Sequence, residues 1–194
     1  RCLVGSEMCI RDSMKYTEEI FNILSKGGFI SSNSVSTQVK RLYDAIEEDL
    51  PDYYDYYKGI GFYLEGGDGY YYFVRKETKV DLERKLEAAQ KWIDYLSFLK
   101  TYHSAFGPGF LFRAADIEIQ IGCDIELKEK AVKLFADKKK FDEVVAKLLK
   151  ELENMGLIEK ENELDGTYKV LTAFHYIEAV SYTHLRAHET SQDL

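Results

Sequence analysis

Twice along this chain a run of helix-period segments gives way to a pair of β-rich runs joined by turn residues, and that recurrence limits the fold more than any other feature. Residues 62–65 and 70–74 flank Gly66-Gly67-Asp68-Gly69, which accept positive φ, so they read as a hairpin. Residues 157–160 and 168–171 flank a second turn at Asp165-Gly166. Gly61 answers to Gly156, and Asp68-Gly69 to Asp165-Gly166, at an offset of about 95 residues. Identity between the halves is low, so element order and turn chemistry carry the repeat, which predicts a tandem duplication of one small unit.

Thr17 is the expected cap of a first helix, with Glu18 and Glu19 at its positive dipole end, Ile20, Phe21 and Leu24 inward, and Gly27-Gly28 ending it. A short Phe29-Ile30 segment leads to a second helix beginning at Asn33 or Ser34, on which Val35, Val39, Leu42, Ile46 and Leu50 form an amphipathic stripe. Pro51 suits the first turn of a third, which carries Tyr53, Tyr54, Tyr56, Tyr57 and Ile60. Three helices followed by a hairpin is the order of a winged helix. Between the hairpins, Leu82, Leu86, Ala89, Ile93 and Leu96 make one stripe, and Trp92, Tyr95, Leu99, Tyr102 and Phe106 another. That long helix has two faces to bury, so it is expected to bridge domains or subunits. Gly107-Pro108-Gly109 breaks it, a strand at 110–112 follows, and helices are predicted at about 114–122, 126–136 and 140–155. The expected class is α+β, mostly helical, with tandem winged-helix domains joined by a long helix.

The outermost residues are set aside from this reading. Residues 3–12 (LVGSEMCIRD) can be written as DNA whose reverse complement translates as residues 180–189 (VSYTHLRAHE), codon for codon. An adaptor ligated to both ends of a DNA fragment produces that relation, and no folding constraint does. The words resemble a transposase-type sequencing adaptor, so residues 1–13 and 180–194 are taken as non-native. The native chain is expected to begin at Met14 and to continue past Ala179. The expected partition is a first winged-helix domain at 14–78, a connecting helix at 79–106, and a second, truncated winged-helix domain at 107–179.

Setting the ends aside removes Cys2, Cys9, His184 and His188 and leaves Cys123, His103 and His175, with no zinc spacing among them. The glycines at 59–61 and 66–69 complete neither a dinucleotide fingerprint nor a phosphate loop, and they precede a strand instead of opening a helix. Asp44, Glu47, Glu48, Asp49, Asp52 and Asp55 lack the order of a calcium loop and read as a solvated face. No catalytic set, metal or cofactor is expected. One cysteine makes no internal disulfide, no run is long enough to span a membrane, and the expected compartment is the cytoplasm.

Charge is divided unequally. The whole chain carries a formal charge of −8; residues 1–13 sum to zero and residues 180–194 to −1, leaving −7 on the remainder. Such a chain is a poor autonomous ligand for phosphate backbones. Between Asp44 and Asp68 eight acids face Lys58 alone, so the first module should repel DNA. Between Glu126 and Lys150 eight lysines face five acids, which makes Lys138, Lys139, Lys140, Lys147 and Lys150 the candidate DNA contacts, against an ordinary solvated helix face as the equal alternative. Ten tyrosines fall between Tyr16 and Tyr72, more than a small core readily holds. Tyr combines large area with a polar tip, so some of Tyr53, Tyr54, Tyr56 and Tyr57 are expected on a partner surface, with core packing absorbing others.

Three stretches, MKYTEEIFNILSKGGFISSNS, LYDAIEEDLPDYYDYYKGIGFYLEGGDGYYYFVR and ENMGLIEKENELDGTYKVLTAFHY, resemble the MksE subunit of bacterial condensin complexes, related to MukE, over residues 14–179. The resemblance implies a non-enzymatic kite protein with two winged-helix domains. It also implies a homodimer that binds the kleisin bridging the heads of an SMC-type ATPase, whose active site lies in the partner. A nucleoid-associated role in chromosome organisation, or the same subunit in an SMC-type system acting against plasmids, would follow. The competing expectation is a winged-helix transcription regulator, which requires a basic recognition helix. A metal-dependent hydrolase built on the carboxylates at 44–55 is a third.

Overall fold

The computed structural model describes residues 14–75, 79–135, 138 and 140–190, apart from the side chains of 79–87 and 183–190. Residues 1–13, Lys139 and the side chains of Leu82 and Leu86 lie outside the described residues. The chain is mostly helical, with two small antiparallel sheets.

In the first half the elements are α1 (Thr17–Leu24), β1 (Ile30–Ser31), α2 (Thr37–Glu48), α3 (Leu50–Gly59), β2 (Tyr63–Gly67) and β3 (Tyr70–Val74). The sheet runs β1-β3-β2, with Leu64 opposite Phe73 and Gly66 opposite Tyr71. Ile20, Leu24, Ile30, Leu42, Ile46, Tyr53, Tyr57, Leu64 and Tyr71 form its core, with Phe21, Phe62 and Phe73 around the rim. The α2 stripe is shorter than its periodicity predicts: Leu42 and Ile46 are buried, but the helix stops at Glu48 and Leu50 opens α3 half in solvent. Pro51 stands in the first turn of α3, where its missing N–H costs nothing.

The second half comprises α4 (Lys79–Tyr102), β4 (Leu111–Arg113), α5 (Ala114–Cys123), α6 (Ile125–Leu134), α7 (Phe141–Asn154), β5 (Ile158–Asn162), β6 (Thr167–Val170) and α8 (Phe174–Thr190). Its sheet order, β4-β6-β5, repeats that of the first. Backbone signs repeat too, with Gly61 and Gly156 at φ +85° and +73°, and Gly69 and Gly166 at +76° and +68°. One more helix stands between first strand and hairpin here than in the first half.

Two expected caps are displaced. Thr17 is already inside α1, and its hydroxyl donates to Met14 O at 2.7 Å. Ser36, not Asn33 or Ser34, caps α2, accepting from Val39 N. The long helix is more than a bridge: Trp92, Tyr95, Phe98 and Leu99 are buried in the larger core, where α4 packs on α6 and α8. Helix α8, absent from the elements expected above, buries Phe174, Ile177 and Ser181. Phe29 and Tyr70 of the first half belong to this same core, so the halves share apolar packing.

Candidate interaction site

Helix α3 sets its tyrosines by position. Tyr53 and Tyr57, four apart, point inward and are 0% exposed, so they are corrected from candidate contacts to core residues. Tyr57 stacks with Tyr53 and meets Phe73 edge-on at 4.7 Å, while its hydroxyl donates to Thr17 O at 2.8 Å. Burial raises both phenols above their ordinary pKa. The outward pair differs: Tyr56 is 48% exposed, and Tyr54 is half-buried with the Lys58 ammonium 5.5 Å from its ring centroid.

Tyr54 stands over a groove of about 570 Å³ between α3 and β2, lined by Leu50, Pro51, Tyr54, Asp55, Leu64, Gly66, Gly67 and Tyr71. At its margin the Tyr71 hydroxyl donates to Glu47 Oε1 at 2.9 Å. The Tyr43 phenol beside them is pushed up to about 12, first by burial and then by its hydrogen bond to Glu47. Asp44, Glu48, Asp52 and Asp55 are exposed on α2 and α3, so this face carries negative charge.

The lysines are less concentrated than their numbers suggest. Lys140 precedes α7 and is exposed, as is Lys150. Lys147 is half-buried, its ammonium 4.3 Å from the Phe135 ring centroid. Lys147 and Lys150, three residues apart, share one flank of α7, and Lys140 stands ahead of its first turn. Acids occupy that flank too, since Glu143 and Glu151 lie one turn either side of Lys147. Lys138 lies 3.9 Å from Glu143, and Lys139 falls outside the described residues. Burial would raise the Glu151 carboxyl, yet hydrogen bonds from Lys91 and Tyr95 together hold it below its ordinary value.

A third set of residues joins the two halves, and sequence reasoning missed it. Glu159 of β5 accepts from Ser34 Oγ at 2.8 Å, from Val35 N at 2.6 Å and from Ser36 N at 3.4 Å. The carboxylate thus sits where the unsatisfied N–H groups ahead of α2 point, a favourable place for negative charge. Asn33 donates to Val170 O and accepts from Thr172 N at 2.8 Å, while Thr172 Oγ1 donates to Gly69 O at 2.5 Å. Tyr176 packs against Phe29, Tyr70 and Tyr72, with centroids 5.0 to 6.5 Å apart. Beside this seam a cavity of about 320 Å³ is lined by Phe29, Ser31, Val39, Gly156, Glu159 and Leu171, among others. The available signal was the run SSNSVS, polar residues in excess of what one helix cap requires.

Among the described residues no three of His, Cys, Asp and Glu gather to hold a metal, and no helix is long and apolar enough to cross a membrane. Two exposed surfaces therefore stand out, an acidic aromatic groove and a mixed-charge lysine flank, while the hydrogen-bonded seam joins the halves of the chain itself. A family model described as condensin complex protein MksE matches residues 15–181. No curated protein matches the chain.

Proposed function

Because the chain belongs to the family of the condensin complex protein MksE, we propose that it is a non-enzymatic subunit of a bacterial condensin-like complex, binding the kleisin that bridges an SMC-type ATPase. The observation that carries this reading is the family match across residues 15–181, nearly the whole chain. The two sheets of identical strand order support a tandem winged-helix organisation, with modules at 14–78 and 107–179 and a linking helix at 79–106. The subunit works as a homodimer in the cytoplasm, associated with the nucleoid. Its process is chromosome organisation or segregation, or defence against plasmids by a related SMC machine.

The acidic α2–α3 face keeps the first module away from DNA, and Lys140 with the flank bearing Lys147 and Lys150 lends a weak contact to DNA already held by the complex. The transcription-regulator reading has less support, since its third helix would have to be basic and α3 exposes Asp52, Asp55 and Tyr56. The test is co-expression with a kleisin of a condensin-like complex from the same genome, followed by affinity purification and size exclusion. Co-elution of the two with an SMC-type ATPase is the expected outcome. A chain that leaves the kleisin behind, and instead shifts one specific operator in a gel, would reverse the assignment.

A further inference from the structure

Strand β2 is the outer strand of its sheet, so one of its edges has no strand partner among the described residues. An open edge presents backbone N–H and C=O groups that pair readily with an incoming chain. The usual protections are thin here: Tyr63–Gly67 holds no proline or lysine and a single glutamate, Glu65. Its last two positions are glycines, kept free of side chains by their neighbours. A Cβ on Gly66 would stand 2.9 Å from the Tyr71 ring, and one on Gly67 2.2 Å from the Tyr70 ring. The β3 rings account for both glycines, and at these two positions β2 carries no side chain of its own beside its outer edge.

The groove between α3 and β2 opens beside that stretch. Leu50, Pro51, Tyr54 and Leu64 give it apolar walls, and Leu50 is 37% exposed. Asp55 lies within it and Glu47 at its margin, with Asp44, Glu48 and Asp52 exposed on the same two helices. Lys58, the one cation between Asp44 and Asp68, rests on Tyr54 and does not balance them. An uncovered backbone edge, an apolar slot and an acidic margin together specify an occupant: extended backbone, an apolar side chain, and flanking positive charge.

We propose that the α3–β2 groove receives a cationic, extended segment of a partner protein, which adds to the outer edge of β2, places an apolar side chain over Leu64, and sets lysine or arginine against Asp55 and Glu47. This deepens the scaffold reading, resting on it only for the premise that the chain acts by holding other proteins.

The test uses the whole chain and short labelled peptides alternating lysine with valine. Controls replace lysine by glutamate, or carry N-methyl groups that remove the backbone donors while keeping the charge. Fluorescence anisotropy reads affinity at low and high salt, and amide exchange reads the place of binding. The lysine peptide is expected to bind, to weaken with salt and to slow exchange at residues 63–67, with both control peptides failing. Glu47→Gln keeps the acceptor used by Tyr71, so Glu47→Gln with Asp55→Asn is expected to leave the melting temperature unchanged and weaken binding about tenfold. Equal binding of the glutamate or N-methylated peptide, protection elsewhere than β2, or β2 occupied by a second copy of the chain would each overturn the proposal. The kleisin experiment fails independently. A wild-type chain that holds its kleisin but ignores the lysine peptide refutes the groove alone, and one that binds the peptide but no kleisin refutes the scaffold reading alone.

Discussion

Burial raises the phenols of Tyr57, Tyr71 and Tyr95 above their ordinary value of 10.0, and hydrogen bonds to Glu47 and Glu151 add to the shift at Tyr71 and Tyr95. A phenol that ionises less readily folded than unfolded contributes stability that is intact below pH 10.0 and is lost as pH rises through its folded value. The chain should therefore unfold in alkali, with tyrosinate absorbance and loss of circular dichroism rising together. Tyrosinate appearing well before unfolding would contradict it. Glycine gives a second test at this scale. Gly69 and Gly166 occupy matching turns with positive φ, but a Cβ on Gly69 would lie 2.7 Å from Ser32 Oγ and 3.1 Å from Thr172 Cγ2, whereas one on Gly166 meets nothing within 4 Å. Gly166→Ala should cost about 1–2 kcal/mol, the left-handed penalty alone. Gly69→Ala should cost about 1–3 kcal/mol more, because it also strains the seam. Urea denaturation of the two variants compares them.

Helix α2 is capped from within by Ser36 and from the other half by Glu159. Losing a helix cap costs about 1 kcal/mol, and leaving buried donors unpaired costs about 1–3 kcal/mol. Glu159→Ala should accordingly destabilise more than Ser36→Ala, and amide exchange at Val35 and Ser36 should quicken first. At this scale most of the fold could be read from the residues. The switch from helical to alternating period and the positive-φ glycines located both hairpins, and the stripes located α2, α4 and α7. Asn33 and Ser34 misled because a polar residue ahead of an amphipathic run is the signature of a cap, while their partners lie more than 120 residues downstream. Tyr53 and Tyr57 could have been sorted from Tyr54 and Tyr56 by their four-residue spacing, but composition alone does not distinguish packing from display. Helix α8 carries its signal at Phe174 and Ile177, near the edge of the segment regarded as native, and at Ser181, two residues beyond it.

For the molecule as a whole, charge is divided between an acidic α2–α3 face and a flank of α7 with exposed lysines. Reversing Lys140 and Lys150, both exposed, should lower DNA retention by the assembled complex and reduce the slope of log affinity against log salt by about two. Kleisin co-purification should be unaffected. An unchanged slope would mean that this flank is only solvated surface. The shared packing has a further effect. Phe29 and Tyr70 sit in the same core as Trp92, Phe106 and Phe174, and Tyr176 is wedged among rings of the first half. A gene split between Val74 and Lys79 would therefore yield two polypeptides that are each sticky and incomplete, yet able to restore one another when mixed, which makes that junction a natural place to cut the protein for a complementation reporter.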